Sequence, residues 1–176
     1  AVAPIGFSAR WNALWREYRY LLWHPGLDLE TMQAAAERLL GQHDFRNFSS
    51  SKVDTVKTVQ RLEIREEGEL FIFDIRADGF LWNMVRKIVG ALEKIGSGQK
   101  DRAWFSELLR PESNHGAPTA PAEGLMLMDV GYEGLDWQVD EYSRRRAAAA
   151  LAATVQKRMA GAMVARELER AMMEWK

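Results

Sequence analysis

Residues 14–23, LWREYRYLLW, alternate: Leu14, Arg16, Tyr18, Tyr20 and Leu22 fall on one side, and Trp15, Glu17, Arg19, Leu21 and Trp23 on the other. That is the period of a β-strand. Pro25-Gly26 breaks the run, Asp28 is placed to cap a helix, and Met32, Ala35, Ala36, Leu39 and Leu40 recur at helical spacing before Gly41. After a polar loop around Ser49 to Lys52, extended segments at 56–65 and 70–77 flank Glu67-Gly68 and predict a β-hairpin, with Phe71, Phe73, Ile75 and Ala77 toward the core. Leu81, Met84, Val85, Ile88, Val89, Leu92 and Ile95 predict a second helix that stops near Gly96 and Gly98. Gly90 inside it costs about 1 kcal/mol relative to Ala and so points to close backbone packing. Trp104, Phe105, Leu108 and Leu109 mark a shorter third helix closed by Pro111. A loop then runs to Gly124, and Leu125 to Tyr132 returns to a strand.

From about Val139 the chain is rich in Ala, Arg, Glu and Met and has no proline, which predicts one long helix or two hinged at Gly161. Ala149, Ala152, Val155, Met159, Ala162, Met163, Leu168 and Met172 form a broad apolar stripe on it. Such a helix is marginal without tertiary contacts, so the stripe is expected to pack on the sheet, in the same chain or in a partner. The order strand, helix, two strands, helix, helix, strand, long helix predicts an α+β fold with a mainly antiparallel sheet.

Composition narrows the function. The 176 residues, 47% hydrophobic, suit one domain with a real core. No apolar run is long enough for a membrane span and no signal peptide is evident, so a cytoplasmic address is expected. The absence of cysteine excludes disulfides, thiol catalysis and thiolate-bound metals. A net charge of -1 means that any RNA-binding surface has to be a local patch. Neither G-x-G-x-x-G nor G-K-[ST] occurs, and no Gly-x-Ser-x-Gly turn is present. His24, His43 and His115 are scattered without metal-ligand spacing, so no metal site is expected.

Two residues stand out. Arg86 interrupts the apolar FLWNMVRKIVG stretch, and reads either as an arginine snorkelling from a helix flank or as a guanidinium awaiting a carboxylate or phosphate. Tyr18 reads either as a packing residue or as a platform for an extruded base. Arg10, Arg16, Arg19, Arg46 and Lys52 lie nearby in sequence and suit an RNA backbone or a solvated face.

At these residues the chain resembles the tRNA pseudouridine synthase A family. FSARWNA (7–13) is similar to its Phe-x-Ala-Arg-x-x-Ala segment, REYRY (16–20) to its Arg-x-Tyr-Arg-Tyr strand, and LLGQHDFRNFSS (39–50) to its Leu-x-Gly-x-His/Asn-Asp-Phe-x-x-Phe turn. GFLWNMVRKIVGALEKIG (79–96) is similar to its Phe-x-x-x-Met-Val-Arg-x-Ile-Val-Gly helix, and AEGLMLMDVGY (122–132) to its closing strand. The resemblance implies the ferredoxin-like C-terminal half of a pseudouridine synthase catalytic domain over residues 1–132. Residues 133–176, which the resemblance does not cover, are expected from their composition and apolar stripe to be a helical extension packed on it. The resemblance also implies isomerisation of uridine to pseudouridine in tRNA, without cofactor or metal, by a homodimer with tRNA lying across both subunits.

Tyr18 then corresponds to the tyrosine that stacks on the target uracil, and Arg86 to the arginine that pairs with the catalytic aspartate. That aspartate belongs to a Gly-Arg-Thr-Asp-Ala-Gly-Val-His stretch in an N-terminal half, and these 176 residues do not contain it. Asp78, in RADGF, aligns instead with a strand end. The chain alone is therefore expected to be inactive. A non-catalytic module that recognises structured RNA by shape is the main alternative, and a helical interaction protein built around the tail is the third.

Overall fold

A computed structural model of the chain describes residues 2–113, 115–135 and 137–175. Its elements are β1 (Ala13–Trp23), α1 (Leu29–Glu37), β2 (Gly41–Asp44), β3 (Val56–Glu67), β4 (Leu70–Ala77), α2 (Met84–Gly96), α3 (Arg102–Leu108), β5 (Leu125–Tyr132) and α4 (Glu141–Glu174). A 3-10 turn at Arg46–Phe48 follows β2. The strands form one sheet in the order β2-β3-β4-β1-β5, and every pairing is antiparallel. The α+β fold with a long C-terminal helix is thus the one the sequence predicts.

Alternation sorts the sheet into two faces. Tyr18, Tyr20 and Leu22 of β1 stand opposite Ile75, Phe73 and Phe71 of β4, and Leu62 and Ile64 of β3 continue the same rows. Against this face pack Met32, Ala35 and Ala36 of α1 and Val85, Ile88, Val89 and Leu92 of α2, all buried. Phe71, Phe73, Ile75 and Ala77 are fully enclosed. Each large side chain removed from water there contributes roughly 1.5–3 kcal/mol. On the opposite face of the sheet Glu17, Arg19, Arg61, Arg65, Asp74 and Arg76 form ion pairs.

Helix ends follow local chemistry. Asp28 caps α1 by accepting from the Thr31 amide at 3.0 Å, as its position predicts. α1 closes at Glu37 rather than running to Leu40, with Gly41 at φ +88° starting β2. That short strand has no sequence signature, because GQHD carries no apolar residue. α2 begins at Met84 and not at Leu81, because Asn83 takes a left-handed backbone (φ 64°). The close packing expected at Gly90 is present: a Cβ there would lie 2.6 Å from the Pro118 carbonyl oxygen.

Two units divide the chain, Pro4–Gly134 and a second of Ala1–Ala3 with Leu135–Lys176. In the second, α4 runs unbroken through Gly161, and none of its residues is buried. One glycine costs a long helix only about 1 kcal/mol, too little to hinge it. Among the described residues no helix is long and apolar enough to cross a membrane.

Candidate active site

Tyr18 sits near the open end of the helix-covered face, two residues before the fully buried Tyr20. Its ring meets the edge of Phe80 at 5.1 Å and 86°. Together with Leu81, Asn83, Met84, Val85, Arg86 and Leu125, these two rings line a cleft of about 130 Å³. The Tyr18 hydroxyl has no hydrogen-bond partner among the described residues, whereas the Tyr20 hydroxyl donates to the Pro121 carbonyl at 2.8 Å. Burial raises the Tyr20 pKa, and the positive charge of Arg86 partly opposes that shift.

Arg86 enters the cleft from the first turn of α2. Its Nε donates to the Ala120 carbonyl at 2.7 Å and its Nη1 to Asn83 Oδ1 at 3.1 Å. The same loop is held at further points: the Ala120 amide donates to the Arg86 carbonyl at 3.0 Å, and Lys87 Nζ donates to the Ala117 carbonyl at 2.8 Å. Gly90 lets the loop backbone approach α2 closely. The guanidinium is therefore fixed by two of its five donors, and the Nη2 hydrogens have no partner among the described residues.

Among the described residues no ion pair joins Arg86, Lys87 or Lys52 to an Asp or Glu. Burial pushes the Lys87 ammonium below its ordinary pKa, and the nearby charge of Lys52 acts in the same direction. A half-buried tyrosine beside a pre-oriented, uncompensated guanidinium suits a flat aromatic ligand together with an anionic group.

The remaining sequence candidates are distributed unevenly. Arg16 shares the side of β1 that bears Tyr18, and donates to the Arg10 carbonyl at 2.5 Å and the Asp78 carbonyl at 3.4 Å. Arg10 itself lies over the Trp11 ring at 4.9 Å. Arg19 does not face the cleft: on the opposite face of the sheet, its Nε donates to Asp74 Oδ1 at 2.7 Å. Arg46 is paired with Asp44, and Lys52 donates to the Arg46 carbonyl at 2.9 Å on the same exposed loop. Asp78 is exposed, and its side chain accepts from the Thr58 amide at 3.0 Å.

Asn83 and Lys87, whose side chains bond at the Arg86 corner, were not singled out from the sequence. A polar residue three positions before Arg86 at a helix start was the available signal for Asn83. Two other hollows exist, one of about 80 Å³ beside Arg38, Arg102 and Phe105, and a groove of about 330 Å³ between Gln33 and Glu63. The groove is larger than the cleft, but it holds no aromatic ring beside its one arginine, Arg65, which Asp74 already pairs.

The profile of the tRNA pseudouridine synthase family matches residues 35–133, a segment that includes Asn83, Arg86 and the loop that holds them. The tRNA pseudouridine synthase A of Methanothrix thermoacetophila is 55% identical over 172 residues, covering 98% of this chain and 64% of that protein. Its counterpart in Methanococcoides burtonii is 46% identical over 151 residues, covering 84% and 55%, and that of Bordetella parapertussis 40% over 146 residues, covering 72% and 54%. The chain spans between about half and two thirds of the length of these relatives. With a family profile covering more than half of its residues, and with such identity to these relatives, the chain belongs to the tRNA pseudouridine synthase family.

Proposed function

We propose that this chain supplies the tyrosine and arginine of a tRNA pseudouridine synthase site whose carboxylate comes from outside these 176 residues. The observation that carries the reading is Arg86. Its guanidinium is held in the Tyr18 cleft by Ala120 and Asn83, and no carboxylate among the described residues pairs with it. A cation half-removed from water without a counter-charge is costly, and an incoming carboxylate would both relieve that cost and be oriented by the planar donor pair.

In this reading the target uridine leaves its stack and enters the cleft against Tyr18. The aspartate, aligned by Arg86, supports cleavage of the glycosidic bond. The freed uracil rotates, and its C5 rejoins the ribose carbon. Tyr18 orients the base, with its unpartnered hydroxyl free to take part in the proton transfers. Arg10, Arg16, Lys52 and Arg46, the last also paired with Asp44, are assigned to the phosphates. Arg19 is left out of this surface, because it is paired on the far side of the sheet. The open outer edge of β5, with Met126, Leu127 and Met128 exposed, supports the view that more of the enzyme lies beside this sheet. A homodimer in the cytoplasm is part of the same proposal.

Tritium release from tRNA labelled at uridine C5 tests the residue roles in the whole enzyme. Arg86→Lys keeps the charge but loses the fork, and is expected to lower turnover roughly 10²–10³-fold. Tyr18→Phe is expected to lower it as well, with tRNA affinity retained in both. Turnover within about threefold of wild type for Arg86→Lys would overturn the reading.

A further inference from the structure

Asn83 is the residue before α2, yet its side chain makes no capping bond to the helix amides. Its left-handed backbone (φ 64°, ψ 8°) suits asparagine, but glycine would satisfy it equally. What glycine lacks is the carboxamide, and here both ends of that group are used. The oxygen accepts from Arg86 Nη1 at 3.1 Å, and the nitrogen donates to Ser50 Oγ at 3.1 Å. Because a guanidinium can only donate, the oxygen has to be the atom that faces it, so the orientation of the amide is fixed by chemistry.

The second end leads to another element. Ser50 also donates its backbone amide to the Trp82 carbonyl at 3.0 Å, so the 49–52 loop is tied to residues 82–83 at two points. Lys52 of that loop donates to the Arg46 carbonyl at 2.9 Å. Hydrogen bonds therefore run from Ser50 through Asn83 to the guanidinium in the cleft, and Ser50 is two residues from the exposed Lys52 along the loop backbone. Arg86 Nε on Ala120 fixes one point of the planar group. A single point leaves the plane free to swing about the Cδ–Nε bond, and the Asn83 oxygen supplies the second.

We propose that Asn83 is a positioning residue for Arg86, holding the plane of the guanidinium and linking it through Ser50 to the loop that carries Lys52. The inference rests on the role proposed above for Arg86. Its test uses variants that separate backbone from carboxamide. Asn83→Gly keeps the left-handed turn and removes the oxygen, Asn83→Asp keeps an oxygen acceptor, and Ser50→Ala removes only the far end of the link.

Two readouts are needed, both in the whole enzyme: the rate of rotation about the Arg86 Cζ–Nη bonds by nitrogen-15 NMR, and kcat and KM for tRNA by tritium release. Asn83→Gly is expected to speed the rotation at least about threefold and to lower kcat about tenfold, with KM within about twofold of wild type. Asn83→Asp is expected to restore slow rotation, and Ser50→Ala to lower kcat about twofold to threefold. If Arg86→Lys is inactive but Asn83→Gly leaves either rotation or kcat unchanged, the inference falls alone. A fully active Arg86→Lys would overturn the role of Arg86, and the inference with it.

Discussion

The two faces of the sheet treat their cations differently. On the face away from the helices, Asp74 is buried and receives Arg19 at 2.7 Å and Arg65 at 2.6 Å, while Glu17 pairs with Arg76 and lies 3.9 Å from Arg61. Arg76 in turn lies over the Trp15 ring at 4.0 Å. Around the cleft, among the described residues, Arg16, Lys52, Arg86 and Lys87 donate only to carbonyls and to the Asn83 amide oxygen. Carbonyls orient a cation but leave its charge in place. One face has closed its electrostatics within the chain, and the other presents a positive corner to whatever carries the opposite charge. A net charge of -1 hides this division, because it averages the two faces.

The closed face depends most on Asp74, the acceptor that Arg19 and Arg65 share. Asp74→Ala is expected to destabilise the fold by about 2 kcal/mol, less than a fully buried pair would cost, because the two guanidiniums are partly exposed and regain water. Chemical denaturation measures it, and tRNA binding is expected to be unchanged. The same residue gives a pH signature. Burial disfavours the charged form of Asp74, but hydrogen bonds from Arg19 and Arg65 outweigh it, so its pKa lies below the ordinary carboxylate value. Its contribution is then fully present above that ordinary value and is lost as pH falls through the lower, folded one. Asp74→Asn is expected to flatten the acid limb of stability against pH relative to wild type.

A smaller effect separates the faces by salt. If Lys52 meets a phosphate, Lys52→Ala in the whole enzyme is expected to reduce the slope of log affinity for tRNA against log salt by about 0.7–0.9. Arg19→Ala is expected to leave that slope unchanged. Equal slopes for the two variants would erase the distinction between open and closed cations.

Much of this division is already visible in the alternation of β1, which puts Arg16 with Tyr18 and Arg19 on the other side. The hairpin, the capped start of α1 and the strand at Leu125–Tyr132 are also legible, because period and turn chemistry are local. β2 is not, since its glycine and three polar residues are held by pairing with β3 rather than by any apolar signal of their own. The start of α2 is equally hidden: Leu81 continues the apolar period, and only the positive φ of Asn83 ends it. Arg86 and Tyr18 could be singled out by residue type, but their partners could not. Ala120 is a backbone carbonyl 34 residues away, and no side-chain pattern marks it.

Among the described residues no carboxylate pairs with Arg86, and the proposed division of the site therefore bears on what the chain can do by itself. The pure 176-residue chain, incubated with tRNA labelled at uridine C5, is expected to release tritium at no more than the background rate. Turnover above background by this chain alone would mean that the 176 residues contain every group the reaction needs, and would contradict the proposed division of the site.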